Sequence, residues 1–110
     1  MTSPRPKAAV SARLIVFRDD AVHRAVELGK AGLAIGRGPS NDLVLDDPDK
    51  QISRFHAEVR WEDGRWLLQD LGSQNGTWME SRRVDRVELK PGIPVQIGPF
   101  RLIFDDTPLE

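Results

Sequence analysis

Residues 57–69 read Ala-Glu-Val-Arg-Trp-Glu-Asp-Gly-Arg-Trp-Leu-Leu-Gln, and this stretch decides the fold class. Ala57, Val59 and Trp61 alternate with charged side chains, as expected of a strand that buries one face. Asp63 and Gly64 then separate this run from a second one. A type I′ turn needs positive φ at both central residues, which an Asp-Gly pair accepts. The stretch therefore predicts a β-hairpin.

Similar short apolar runs, separated by turn residues, continue on both sides of this hairpin. Val22, Val26 and Leu28 are predicted to share one face of a strand. Pro91-Gly92 predicts a type II turn, because proline fixes φ at its second position and glycine accepts positive φ at its third. The remaining runs are residues 14–17, 33–35, 43–45, 95–97 and 101–104. No segment keeps helical spacing over about ten residues, so the pattern predicts an all-β sandwich or barrel with little or no helix.

The two ends of the chain differ from this pattern. Residues 1–11 begin with a proline-containing and basic stretch, which predicts a flexible tail. Residues 107–110 end in Leu-Glu and predict a C-terminal tail or a cloning scar. Residues 12–106 are the expected domain, a monomeric part of a larger protein.

Composition excludes several classes of function. The chain has 110 residues, no cysteine and two histidines, so a disulfide framework, a thiolate zinc site and a cysteine nucleophile are excluded. Sixteen Lys and Arg against seventeen Asp and Glu argue against a nucleic-acid module. There is no apolar run of about 18 residues to cross a membrane. We expect a cytoplasmic domain without a metal or cofactor.

Three loops, far apart in sequence, concentrate hydrogen-bond donors and small residues. They are residues 36–41, 51–56 and 72–77, and they supply an arginine fork, hydroxyls, side-chain amides and backbone N–H groups. Loops at one end of a sandwich can converge on a single site. An excess of donors over acceptors favours a dianionic tetrahedral ligand.

The chain resembles the forkhead-associated (FHA) domains from about Leu14 to Phe104. No single element is specific, but their order and spacing match the family. The matching elements are Gly36-Arg37, Asn41-Asp42-Leu43, Ser53-Arg54-Phe55-His56, Asp70-Leu71-Gly72-Ser73, Asn75-Gly76-Thr77 and a closing pattern of Leu89, Gly92, Ile97-Gly98, Phe100, Leu102 and Phe104. The resemblance implies a β-sandwich of about eleven mostly antiparallel strands whose loops bind phosphothreonine in a partner protein, without catalysis.

The resemblance also implies which residues bind the phosphopeptide. Arg37 and Ser53 would contact the phosphate, and a planar guanidinium can donate two parallel hydrogen bonds to it. Arg54 lies in the same loop and would also take part in phosphopeptide binding, through its side chain or its backbone N–H. Asn75 would bond the peptide main chain. Gln74 would also belong to the phosphopeptide site, although it stands where a Thr or Ser is commoner and so carries no hydroxyl.

Other residues are expected to support the site or to lie outside it. Gly36, His56 and Gly76 are predicted to have structural roles. Ser73 is predicted to stabilise its loop, and Gln51 marks where the residues flanking the phosphothreonine would be read. Core or sheet-face packing is expected for Trp61, Trp66 and Trp78, and a solvated basic face for Arg82, Arg83 and Arg86.

The expected partner is a threonine-phosphorylated protein, the substrate of a Ser/Thr kinase, and no nucleic acid or membrane. Two alternatives stay open. One is an FHA-like scaffold with phosphate-independent or self-assembling contacts. The other is an enzyme, for which Ser53, His56 and Asp70 form the candidate constellation, although no Gly-x-Ser-x-Gly elbow accompanies them.

Overall fold

A computed structural model describes residues 12–106, and this part of the chain is all-β with eleven strands. The two predicted tails, residues 1–11 and 107–110, lie outside the described residues. The eleven strands are β1 (Arg13–Arg18), β2 (Ala21–Glu27), β3 (Leu33–Gly36), β4 (Leu43–Val44), β5 (Ala57–Glu62), β6 (Arg65–Asp70), β7 (Thr77–Met79), β8 (Arg82–Val84), β9 (Arg86–Glu88), β10 (Val95–Ile97) and β11 (Phe100–Asp105). Among the described residues, no helix has the length and apolar character needed to span a membrane.

The strands form two sheets. The six-stranded sheet has the order β2-β1-β11-β10-β7-β8, and the five-stranded sheet has the order β4-β3-β5-β6-β9. All named strand pairs are antiparallel except β3 with β4. The architecture confirms the predicted sandwich.

The predicted turns are confirmed by their backbone angles. β5 and β6 pair from Ala57–Asp70 to Glu62–Arg65, and the turn between them has φ of 53° at Asp63 and 76° at Gly64. Gly92 has φ of 81°. The Ile93 amide donates to the Lys90 carbonyl at 3.2 Å and closes that turn. Local turn chemistry thus sets these connections.

One core lies between the two sheets. Alternate side chains of β1, β3, β5, β10 and β11 are buried in it, as the period of two requires. Trp66 and Met79 pack at its border. The fully or nearly fully buried apolar side chains include Leu14, Val16, Ile35, Leu43, Leu45, Ile52, Val59, Leu68, Val95, Ile97, Phe100 and Leu102.

The prediction for β2 is wrong in one respect. Val22 lies opposite Phe17, whereas Val26 lies opposite Leu14, so the two valines face opposite sides of the sheet. The cause is a register shift at His23, which has no partner on β1. An extra residue of this kind reverses the alternation of every side chain beyond it. Val22 is therefore 62% exposed on the outer face.

Candidate functional site

The three donor-rich loops meet at one end of the sandwich. We call residues 37–42 the first loop, residues 45–56 the second loop and residues 71–76 the third loop. Ser53 joins them, because its carbonyl accepts the Arg37 amide at 3.0 Å and its hydroxyl accepts the Gln74 amide at 3.1 Å. The second loop is thus the central member of the set.

Gly36 permits the close approach of the first two loops. A Cβ atom at this position would lie 2.2 Å from the Arg54 carbonyl oxygen and 2.9 Å from Asn41 Nδ2. That same oxygen accepts hydrogen bonds from the Gly38 amide at 3.1 Å and from Asn41 Nδ2 at 2.8 Å. Only glycine fits here, because any side chain would collide with the backbone of the second loop.

Arg37 leaves the end of β3 with its side chain already oriented. Its Nε donates to the Ile52 carbonyl at 3.0 Å. Within residues 12–106, its two terminal nitrogens have no hydrogen bond or ion pair with the protein. The half-buried guanidinium therefore offers its outer fork to a ligand in a preset direction.

Arg54 is exposed, and its carbonyl accepts the Gly38 amide at 3.1 Å. Its aliphatic stem covers Gly38, since a Cβ atom added to Gly38 would be 2.6 Å from Arg54 Cγ. The structure therefore brings Arg54 to the first loop. In the described part of the chain its guanidinium has no protein partner.

The third loop contributes Asn75 at the edge of the site. Asn75 Nδ2 donates to the Gln51 carbonyl at 3.0 Å, which leaves Oδ1 and a second amide hydrogen for a ligand. Gln74 is also exposed, and its contact with the second loop is made by its backbone amide. Its side chain makes no hydrogen bond within the described residues.

His56 has two structural hydrogen bonds and is fully buried. Its Nδ1 accepts the Ser53 backbone amide at 3.1 Å, so Nε2 carries the proton and donates to the Gly76 carbonyl at 2.9 Å. Burial lowers the pKa of His56, against smaller opposing effects of the Gly76 carbonyl and Asp70. The ring is therefore neutral and joins the second loop to the third.

The candidate catalytic constellation is not assembled. The basic nitrogen of His56 is used by the Ser53 amide and not by the Ser53 hydroxyl. Asp70 Oδ1 lies 3.9 Å from His56 Nε2, too far to orient the ring by a hydrogen bond. A relay from serine through histidine to aspartate needs both contacts.

Asp70 instead organises the third loop, a role that the sequence did not reveal. Its carboxylate accepts the Ser73 amide at 2.9 Å, the Ser73 hydroxyl at 2.5 Å and the Thr77 hydroxyl at 2.8 Å. Desolvation raises the pKa of Asp70, but the bonds from Ser73 and Thr77 together outweigh it and lower the pKa. Ser73 Oγ also accepts the Gly76 amide at 3.1 Å, which supports its predicted role in the loop. Gly76 itself has φ of 90°.

Asn41 and Asp47 are two further braces that sequence reasoning missed. Asn41 is buried and donates through Nδ2 to the carbonyls of Gly38 and Arg54, both at 2.8 Å. Asp47 is buried and accepts the Asp49 amide at 3.2 Å and the Gln51 amide at 2.8 Å. Asp47 thereby holds the segment whose Gln51 carbonyl binds Asn75. An Asp close to a Pro signals a turn but not its burial.

The basic residues after the third loop do not act together. Arg83 donates to the Ser73 carbonyl at 2.8 Å and so supports the third loop. Arg86 on β9 pairs with Glu62 on β5, and both strands belong to the five-stranded sheet. In the described residues, no group of three or more His, Asp or Glu side chains is placed to hold a metal ion.

Comparison of this sequence with known proteins gives close relatives. It is 42% identical over 94 residues to the glycogen accumulation regulator GarA of Mycolicibacterium smegmatis, covering 86% of this chain. It is 38% identical over 95 residues to an oxoglutarate dehydrogenase inhibitor of Corynebacterium diphtheriae, covering 86% of this chain and 65% of that protein. The chain spans 58% of the length of GarA from M. smegmatis.

Solved structures agree with the sequence comparison. An FHA domain from a study of phosphothreonine-dependent FHA domain interactions has a TM-score of 0.77 and 34% identity, over 90% of this chain and 99% of that one. The FhaA FHA domain complexed with the intracellular domain of Rv3910 has a TM-score of 0.76 and 33% identity, over 86% and 100%. The family profile of the FHA domain matches residues 33–98, more than half of the chain. The chain therefore belongs to the FHA-domain family.

Proposed function

We propose that the three loops bind a phosphothreonine-bearing segment of a partner protein. The observation that carries this proposal is the outer fork of Arg37, which is oriented by its own Nε and unpaired within the described residues. Ser53 is bonded to the same residue, because its carbonyl accepts the Arg37 amide. Since the Ser53 oxygen accepts the Gln74 amide, its hydroxyl hydrogen is available to donate to an anion.

The remaining site residues complete a donor-rich surface. Arg54 brings a second guanidinium, which adds to the attraction for a group of about −1.5 to −2 charge at neutral pH. Asn75 bonds the main chain of the peptide through its free Oδ1 and amide hydrogen. Gln74 is exposed on the third loop and contacts the peptide without supplying a hydroxyl. Gly36, His56 and Gly76 hold the loops in place.

Charge-assisted hydrogen bonds set the scale of the affinity. Each contributes about 1.5–3 kcal/mol, and the ordering of a flexible peptide offsets part of the sum. A micromolar dissociation constant, equivalent to about −8 kcal/mol, is the expected result. A threonine is preferred to a serine when its γ-methyl is buried between the loops, which is worth about 1 kcal/mol, and when its restricted χ1 reduces the ordering cost.

The partner is proposed to be a protein phosphorylated by a Ser/Thr kinase. The names of the relatives, a glycogen accumulation regulator and an oxoglutarate dehydrogenase inhibitor, support a regulatory and non-catalytic role. We propose that this role is carried out in the cytoplasm. The chain spans 58% of one of these relatives and 65% of the other, and we propose that it acts as one monomeric domain of a larger regulator.

Calorimetric titration with three matched peptides tests the proposal. The peptides share one sequence and carry phosphothreonine, threonine or glutamate at the central position. Only the phosphothreonine peptide should bind, because glutamate supplies less charge and one oxygen fewer. Equal binding of the threonine peptide would instead favour a phosphate-independent scaffold and would reject the proposal.

A further inference from the structure

A row of register-matched side chains crosses the outer face of the six-stranded sheet. Trp78 on β7 lies opposite Gln96 on β10, and Gln96 lies opposite Arg101 on β11. Arg101 lies opposite Phe17 on β1, and Phe17 lies opposite Val22 on β2. The neighbours of these residues along each strand, such as Val16, Val95 and Leu102, are buried in the core. The five residues, which we call the outer row, therefore point away from the core.

Three of the five residues of the outer row are apolar, namely Phe17, Val22 and Trp78. Val22 is 62% exposed and Trp78 is 39% exposed, although the outward face of an antiparallel sheet is normally polar. The Arg101 guanidinium lies 5.2 Å from the Phe17 ring centroid and 3.9 Å from Asp20 Oδ1. The guanidinium also donates to the Asp19 carbonyl at 2.9 Å. Its position is thus fixed by the protein itself.

The outer row begins at the phosphopeptide site. Trp78 Nε1 donates to the Asn75 carbonyl at 3.0 Å. A groove of about 660 Å³ joins the two features, because its lining includes Gln51 and Asn75 as well as Trp78, Gln96 and Arg101. A chain bound at Asn75 therefore lies in contact with a groove that also contains residues of the outer row.

Strand spacing gives the length of this path. Trp78 and Val22 are separated by four strand intervals, or about 19 Å at about 4.8 Å each, which an extended peptide spans in about six residues. Trp78 and Phe17 are three intervals apart, so side chains resting on them are separated by about four residues of extended chain. Such a strip covers on the order of 200 Å², well below the roughly 800 Å² per partner of a stable protein interface. A peptide segment fits this area better than a second copy of the domain.

We propose that the partner's polypeptide continues from the phosphothreonine through the groove and along the outer row. One apolar side chain packs on Trp78, and a second, about four residues further, packs against Phe17 and Val22. This inference rests on the proposed phosphothreonine binding and adds an apolar recognition element to it. The outer row then selects among phosphorylated segments, because the phosphate itself is common to all of them.

Titration with two kinds of phosphothreonine peptide tests this inference. The short peptide has about three alanine or serine residues on each side of the phosphothreonine. The long peptides extend one flank and carry a pair of leucines four residues apart. In successive long peptides, this pair is placed one residue further from the phosphothreonine. At one register the long peptide should bind about tenfold more tightly than the short one. Val22→Asp should remove this gain and leave the short peptide's affinity unchanged. Ala31→Asp, which adds the same charge at an exposed residue of the connection between β2 and β3, is the matched control and should keep it.

Amide chemical shifts of the unaltered protein provide a second reading that does not depend on a variant. The long peptide should shift the amides of Val22 and Ala25, and the short one should not. The inference would be overturned if no long peptide bound more tightly than the short one. It would also be overturned if Val22→Asp changed only the self-association of the protein and not the affinity for the long peptide. The binding of the short peptide tests the proposed function separately, because this peptide does not reach the outer row.

Discussion

Replacing Gly36 by alanine should separate the first two loops and abolish the site. The added Cβ atom would lie 2.2 Å from the Arg54 carbonyl oxygen, so this oxygen has to move by roughly 1 Å to reach an ordinary contact distance. The same oxygen accepts the Gly38 amide and Asn41 Nδ2. Both hydrogen bonds are therefore stretched or broken by the movement.

The expected loss of stability follows from these contacts. Overpacking costs about 1–3 kcal/mol, and each weakened hydrogen bond adds about 1 kcal/mol or less. Gly36→Ala should thus lower the free energy of unfolding by about 2–4 kcal/mol. Binding of a phosphothreonine peptide should fall at least about tenfold, because Arg37 and Ser53 are displaced together.

Gly29→Ala is the matched control, since a Cβ atom at Gly29 has no neighbour within 4 Å. Its φ is not positive, and the alanine should be neutral or should stabilise by up to about 1 kcal/mol through the unfolded state. Urea unfolding gives the stabilities, and calorimetry gives the affinities. A Gly36→Ala protein with the stability and affinity of the parent would refute the steric reasoning.

Three further predictions concern His56, Asp70 and the turn between β7 and β8. His56 has a lowered pKa because it is buried, so the unfolded state binds more protons than the folded state below about pH 6.5. The free energy of unfolding should therefore decrease as pH falls through this range. An NMR titration of the His56 ring that gives a pKa above 6.5 would contradict this. Asp70→Asn should cost about 2–4 kcal/mol in urea unfolding, because a charged acceptor of three hydrogen bonds is lost; a change below about 0.5 kcal/mol would show that the third loop does not depend on it. Glu80 and Ser81 have positive φ, 51° and 66°, which strains their backbone. Because asparagine and glycine accept positive φ in a hairpin turn, the double variant Glu80→Asn and Ser81→Gly should raise the free energy of unfolding by about 1–2 kcal/mol. A lower melting temperature of the double variant would show that the turn is not strained.

The hairpin of β5 and β6 was predictable because its turn is determined locally. Asp63 and Gly64 carry the conformational preference in their own side chains, and the alternation of β5 is uninterrupted. The β2 prediction failed for a related reason. The register shift at His23 depends on how β2 pairs with β1, and a single strand's pattern does not contain this information.

The site divides in the same way. Arg37, Ser53 and Asn75 could be selected from the sequence, because their types and their order resemble the FHA family. Asn41 and Asp47 could not be given roles, since each acts on backbone groups whose position is set by the folded loops. Buried polar side chains of this kind are recognised by their hydrogen bonds and not by sequence spacing.

The outer row shows a further limit of sequence reasoning. Trp78 was expected to pack in the core or on a sheet face, and it lies on the outer face with its indole nitrogen bonded to the Asn75 carbonyl. The sequence distance between Trp78 and Val22 hides their alignment, which arises only when four strand pairs are in register.

The central claim is that the fork of Arg37 binds a phosphate, and calorimetry of one phosphothreonine peptide with three proteins tests it most directly. The parent protein should bind with micromolar affinity. Arg37→Ala should lose about 3 kcal/mol or more, a factor of over about a hundred, because two charge-assisted bonds are removed. Arg37→Lys should also bind weakly, since an ammonium group has no planar fork. Circular dichroism should show all three folded, and unchanged affinity in Arg37→Ala would contradict the claim.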